Sequence, residues 1–130
     1  MTSVDTNLLV RFLTRDDEAQ FEKAYRVFQM EEVFLAVTVI LETEWVLRYA
    51  YDFPREEILV GFRKLLGLEN VYCAQPEVLR SALLWFEKGL DFADALHLAN
   101  SRHCEVLKSF DKSFVKKGRG LSPCAVEIPV

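Results

Sequence analysis

The chain has 130 residues, 51% of them hydrophobic and 28% charged, which suits one domain with a continuous core and excludes a disordered polypeptide. A net charge of −4 at pH 7 excludes tight, sequence-blind adhesion to nucleic acid, because that binding needs many cations set against phosphates. No apolar run approaches the ~20 residues of a bilayer span, and the N-terminus lacks the basic patch and apolar core of a signal peptide, so a cytoplasmic protein with no membrane partner is expected.

Thr2 to Val4 is expected as a short first strand ending at Asp5, after which Leu8, Leu9, Phe12 and Leu13 recur at helical spacing. Asp16, Asp17 and Glu18 open a second helix with acids in its first turn, where the helix dipole favours them, and Phe21, Ala24, Tyr25 and Phe28 form its buried stripe. The run Val33 to Val37 is β-prone and almost wholly apolar, as a strand covered on both faces is. Thr38 suits the N-cap of a helix reaching about Tyr51, which Asp52-Phe53-Pro54 interrupts. Pro54 then serves as the first residue of a helix carrying Ile58, Leu59, Phe62, Leu65 and Leu66, closed by Gly67.

Val71 to Cys73 reads as a third strand, and Pro76 starts a helix with Val78, Leu79, Ala82, Leu83 and Phe86 on one side. Gly89 ends that helix, Asp91 begins another from Phe92 to His103, Glu105 to Phe110 is a fourth strand, and Ala125 to Ile128 is a fifth. Strands alternating with helices imply an α/β fold: one three-layer α/β/α domain over residues 1–130, with a central parallel sheet of four to five strands and helices on both faces. Cys73, Cys104 and Cys124 are odd in number and lack metal-ligand spacing, which points to buried reduced thiols rather than disulfides or a zinc site.

The acids carry the chemistry. Asp5 and Asp111 each follow a strand, at the carboxyl edge of a parallel sheet where ligand sites of open α/β folds lie, although an N-cap role also explains each. Glu42 has Val39 three residues before it, Trp45 three after and Val46 four after, so it interrupts an apolar stripe and calls for a cation or another partner. Glu44, with Arg48 at i+4, reads instead as a solvated ion-pair partner. Asp94 sits three residues after Asp91 in Asp91-Phe92-Ala93-Asp94-Ala95, a spacing that fits either helix capping or a shared acidic face beside small alanines.

Carboxylates that converge repel one another unless a cation lies between them. An oxygen-only set without His or Cys favours Mg2+ or Mn2+ over zinc, and a sparse carboxylate cradle leaves coordination positions for a phosphate and a water. Metal-assisted phosphodiester hydrolysis is the chemistry that follows. Neither His97 nor His103 is at metal-ligand spacing, and no Ser- or Cys-based nucleophilic constellation is present.

Val4-Asp5-Thr6-Asn7, Val39-Ile40-Leu41-Glu42, Phe92-Ala93-Asp94-Ala95 and Ser109-Phe110-Asp111-Lys112-Ser113-Phe114 resemble, in order and separation, the four acidic motifs of the PIN domain, most closely the VapC-type ribonuclease toxins of toxin–antitoxin modules. The resemblance implies an Mg2+- or Mn2+-dependent endoribonuclease with Asp5, Glu42, Asp94 and Asp111 as the catalytic metal site. Within it Asn7 and Ser109 match polar positions that orient the acids, and Asp91 either assists the metal or caps its helix. It further implies an RNA substrate, a homodimer, and a cognate antitoxin protein whose short segment fills a groove beside the acids. Trp45, Tyr49, Tyr51 and Phe53 are expected to line such a groove or to pack within the helix layer.

Lys108, Lys112, Lys116, Lys117 and Arg119 crowd the segment around Asp111, and the last four are candidates for RNA phosphates. Two other readings stay open: a PIN-like module that binds RNA or protein without cutting, and an RNA-processing nuclease outside a toxin–antitoxin pair. A phospho-accepting receiver domain is a further acidic α/β class, but Asp5-Thr6-Asn7 and Cys73-Ala74-Gln75 do not supply its paired N-terminal acids or its acceptor Asp after the third strand.

Overall fold

In the computed structural model, which describes residues 1–130, β1 (Thr2–Ser3) stops just before Asp5, and the chain turns directly into α1 (Thr6–Thr14). Asp5 is the reason the turn is abrupt: its extended backbone and its side chain, which accepts from the Leu8 N–H at 2.9 Å, satisfy one of the orphan donors at the helix start. Asp17 does the same for α2 (Glu18–Met30), with Glu18 in its first turn as expected. Phe12 of α1 stacks on Phe28 of α2 with ring centroids 4.1 Å apart.

β2 (Val33–Phe34) leads into α3 (Val37–Tyr49), and α4 (Arg55–Leu66) leads into β3 (Val71–Tyr72). The three strands form one parallel sheet in the order β1-β2-β3, with Thr2 opposite Val33 opposite Val71, and Ser3 opposite Phe34 opposite Tyr72. Each crossover is helical, which is what parallel neighbours require. Leu9, Val33, Leu35, Ile40, Ile58 and Phe62 are all buried, and each such burial contributes roughly 1.5–3 kcal/mol against chain entropy.

α5 (Pro76–Glu87) has Pro76 in its first turn, and Gly89, at φ 107°, makes the left-handed bend that lets Leu90 N–H reach back to the Trp85 carbonyl. Phe86 and Phe92, the latter opening α6 (Phe92–Asn100), meet edge to face at 5.4 Å. β4 (Val106–Lys108), α7 (Lys112–Gly118) and β5 (Ala125–Glu127) follow, and β4 and β5 pair in parallel with Leu107 opposite Val126. Gly118 lets α7 lie close against β5: a Cβ there would sit 3.1 Å from Val126 Cγ2, and that methyl would have to shift.

The chain resolves into two compact units, Met1–Ala74 and Gln75–Val130. All five strands pair in parallel, and their pairing divides between the units as a ladder of three and a ladder of two. Every strand is shorter than its apolar run: Ala36 caps the helix that Thr38 was expected to cap, Val37 is already helical, and the fourth strand ends at Lys108 rather than Phe110. Similarly, α6 ends at Asn100, three residues before His103. Strand length is set by where a partner runs alongside, and apolar composition alone does not report that.

The largest correction concerns α3. Its buried face is Ile40, Thr43, Glu44 and Leu47, a regular i, i+3, i+4, i+7 stripe, while Trp45 is 55% exposed and Glu42 lies in solvent. Glu44 is therefore the buried acid, 1% exposed, and Arg48 grips it through Nε at 2.8 Å and Nη2 at 3.1 Å. The ion pair was expected; its burial was not. Tyr25 is likewise exposed rather than part of the α2 stripe, which Ala24 and Phe28 form. None of the three cysteines is disulfide-bonded, but only Cys124 is buried, and Cys104 faces solvent.

Candidate active site

The first unit joins two of the motif regions. Because Ser3 pairs with Phe34, β1 and β2 end on the same edge of their sheet, so the start of α1 and the start of α3 emerge side by side. The Thr6 hydroxyl donates to Glu42 Oε1, tying the residue after Asp5 to the acid of the second motif. Motif reading passed over this contact of Thr6, and its adjacency to Asp5 was the available signal. Asp5, Asn7, Leu8, Arg11, Lys23 and Ala24 line a shallow hollow of ≈ 300 Å³ between α1 and α2. Asn7 thus stands beside Asp5 on that surface.

Three acids meet in the second unit. Asp91 caps α6 through Oδ2, which accepts from the Asp94 N–H at 3.2 Å, and Asp94 projects from the first turn. Asp111 caps α7 by accepting from the Phe114 N–H at 3.1 Å, and its own N–H donates to Ser109 Oγ at 3.0 Å. The Ser109 hydroxyl therefore fixes the backbone that aims Asp111. Asp91, Asp94, Asp111, Ser113 and Lys117 line a hollow of ≈ 360 Å³, floored by Leu90 and Phe114.

Capping and ligand binding do not compete here. A carboxylate that caps with one oxygen keeps acceptor lone pairs on the other. The two readings of these acids left open by sequence are thus compatible at Asp5 and Asp111, where the cap uses Oδ1.

Electrostatics single out Asp94. Partial burial raises its carboxyl above the ordinary range, the charges of Asp91 and then Asp111 raise it further, and His97 one turn along α6 partly offsets them. His97 was given no role from sequence, yet it works against the rise at Asp94. Lys112, Lys116, Lys117 and Arg119 are all exposed, and Lys117 alone of them lines the acidic hollow.

The donor set suits a hard divalent cation, since it consists of carboxylate oxygens, and the raised Asp94 is what an interposed positive charge relieves. As the side chains stand, no group of three or more His, Cys, Asp or Glu residues closes around one point to hold an ion. The arrangement is an acidic hollow with the right chemistry and an open ligand geometry.

The PIN domain family profile matches residues 3–120, which takes in all four acidic segments. The chain belongs to the PIN domain family. No curated protein and no solved structure gives a significant match. PIN membership fits the α/β architecture of parallel strands flanked by helices, and it is consistent with a nuclease-type hydrolase in general. No helix of this PIN protein is long and apolar enough to cross a membrane.

Proposed function

We propose that this PIN protein is an Mg2+- or Mn2+-dependent endoribonuclease, a single nuclease domain over residues 1–130. The observation that carries the reading is the crowding of Asp91, Asp94 and Asp111 around one hollow that also admits Lys117. Asp94 caps no helix, and the two acids that do, Asp91 and Asp111, share its hollow with Lys117.

Asp94 and Asp5 are the principal ligands in this proposal, with Glu42 and Asp111 completing the set and Asp91 assisting from the α6 cap. A bound divalent ion would lower the pKa of a coordinated water and neutralise charge on the scissile phosphate. The chain's own contributions are positional. Lys117 draws a phosphate toward the acids, Ser109 holds the turn that presents Asp111, and Thr6 orients Glu42. Lys112, Lys116 and Arg119 extend the cationic surface along which the RNA backbone runs. No residue is placed for a covalent intermediate.

Purified protein should cleave single-stranded RNA when Mg2+ or Mn2+ is supplied and stop when EDTA removes it. Asp94→Asn should abolish cleavage with the fold intact by circular dichroism. Undiminished cleavage by that variant overturns the proposal.

Within the family, the reading extends to a VapC-type toxin that dimerises and is restrained by a cognate antitoxin. Chain length and motif style support it, as does the exposed pair Trp45 and Tyr49 on α3, whose rings lie 5.0 Å apart and offer an aromatic surface to a partner. Expression alone should arrest growth, and co-expression of a small protein encoded immediately upstream should relieve it. Growth that continues normally with active enzyme favours an RNA-processing role instead.

A second reading is supported by the open ligand geometry: a PIN-like module that holds RNA without cutting it. RNA affinity without cleavage in either metal distinguishes it.

A further inference from the structure

The turn between β4 and α7 exposes a large aromatic side chain that the fold does not use. Phe110 is 82% exposed, the most exposed internal aromatic of the chain, and its flanking residues are immobilised by the Ser109–Asp111 and Asp111–Phe114 hydrogen bonds. A phenylalanine held out in water by a rigid turn gains nothing from burial and is pre-organised for an external partner. The segment that carries it is rich in exposed cations: Lys112, Lys116, Lys117 and Arg119 follow within nine residues, Lys108 precedes it and pairs with Glu127 at 3.0 Å, and Lys117 lines the acidic hollow with Asp111.

We infer that Phe110 is a nucleobase-stacking residue, on whose ring an unpaired base of the bound RNA strand is laid. The inference rests on the nuclease reading and adds to it a base-binding residue. An aromatic face flanked by lysines matches the way single strands are held, where stacking is tolerant of sequence and cations follow the backbone. A duplex keeps its bases stacked on one another and offers the ring no face. The neighbouring lysines favour a polyanion over an apolar protein segment, which would gain little from a single ring set among solvated ammonium groups. Phe110 is thereby a binding residue, and Asp111 next to it is placed to act on the phosphate adjoining the stacked base.

The test separates the π-face from simple apolarity. Binding of a fluorescein-labelled eight-nucleotide RNA and of the matching duplex is measured by anisotropy in EDTA, so that it does not depend on cleavage. Phe110→Ala and Phe110→Leu should each weaken single-strand binding by about tenfold or more, Phe110→Trp should retain it, and duplex binding should be unchanged in all three. In cleavage assays Phe110→Ala should raise KM while leaving kcat at saturating RNA within about twofold. Wild-type affinity in Phe110→Ala, or retention by Phe110→Leu, overturns the stacking assignment, the latter leaving only a non-stacking apolar contact with the strand. Because the ring lies in solvent, none of these substitutions removes core packing. If the wild-type chain cuts no RNA, the nuclease reading falls on that observation alone, whatever the binding series shows.

Discussion

Two acidic clusters of this protein solve the same electrostatic problem in opposite ways. In the first unit, Asp16 accepts the Tyr51 hydroxyl at 2.6 Å, the Thr14 hydroxyl at 3.0 Å and Arg11 at 3.2 Å, and its carboxyl is held below the ordinary range, chiefly by Tyr51. In the second unit, Asp94 is partly buried beside Asp91 and Asp111, and its carboxyl is pushed up. The first cluster is complete within the polypeptide: Arg11 also holds Gln20 at 2.6 Å, so the network fastens α1 to α2. In the second, His97 offsets the rise only in part, and the Asp94 carboxyl stays pushed up. Folds keep such an imbalance chiefly at functional sites, and the contrast is the ground for reading Asp16 as a structural acid and Asp94 as part of the proposed site.

The contrast breaks most visibly in activity. Asp94→Asn, and equally Asp5→Asn, should lower metal-dependent RNA cleavage by about 100-fold or more, since even outer partners of metal ligands commonly cost 10–100-fold. Asp16→Asn should leave the cleavage rate within about twofold. Initial rates on one labelled RNA, with each variant's fold checked by circular dichroism, decide it. Equal losses at Asp16 and Asp94 would erase the distinction drawn here.

A smaller effect should appear in stability. A divalent ion that binds only the native state stabilises it by mass action, about 1.4 kcal/mol at roughly tenfold over its Kd. Urea midpoints at neutral pH should therefore rise with Mg2+ or Mn2+ in the wild type, fail to rise in Asp94→Asn, and rise normally in Asp16→Asn. A response that survives the loss of Asp94 places the ion elsewhere.

How much of this was legible in the sequence depends on how local the cause is. The capping roles of Asp5, Asp91 and Asp111 were readable because a cap is settled within four residues, and Gly67 and Pro76 mark helix ends for the same reason. The parallel sense of the strands followed from the helices between them. The buried face of α3 was not readable: one stripe carries Glu42 and Trp45, another carries Glu44 and Leu47, each contains an acid among apolar residues, and only tertiary packing chooses between them. Division of the strands into two ladders was hidden too, because periodicity identifies a strand but not its neighbour. Thr6 and His97 were missed since each acts on an acid outside its own capping turn.

The same distinction between satisfied and unsatisfied polar groups recurs on adjacent residues of α3. Glu44 is buried with Arg48 bound to it, whereas Thr43 Oγ1 is buried with no hydrogen-bond partner. Thr43→Val, which keeps the shape and removes the orphaned hydroxyl, should stabilise the fold by about 1 kcal/mol in urea denaturation. A destabilisation of similar size would mean that the hydroxyl is satisfied in solution.

The finest test is the sign of the pH dependence, measured in EDTA so that no cation intervenes. Asp94, with a raised native pKa, contributes stability that is fully present below its ordinary value of 3.8 and is lost as pH rises through the native value. Asp16, with a lowered native pKa, contributes stability that is present above 3.8 and is lost as pH falls through its native value. Asp94→Asn should therefore flatten the decline on the alkaline side of 3.8 and leave the acid limb alone. Tyr51→Phe removes the main cause of the Asp16 shift, so it should flatten the loss of stability on the acid side of 3.8 while leaving the limb governed by Asp94 unchanged. Both effects are small because Asp16 is solvent-screened and Asp94 only partly buried, but their opposite signs make them separable in one series of urea midpoints. Variants that moved the same limb in the same direction would show that the two acids differ only in degree, and the argument for a working acid at Asp94 would lose its electrostatic support.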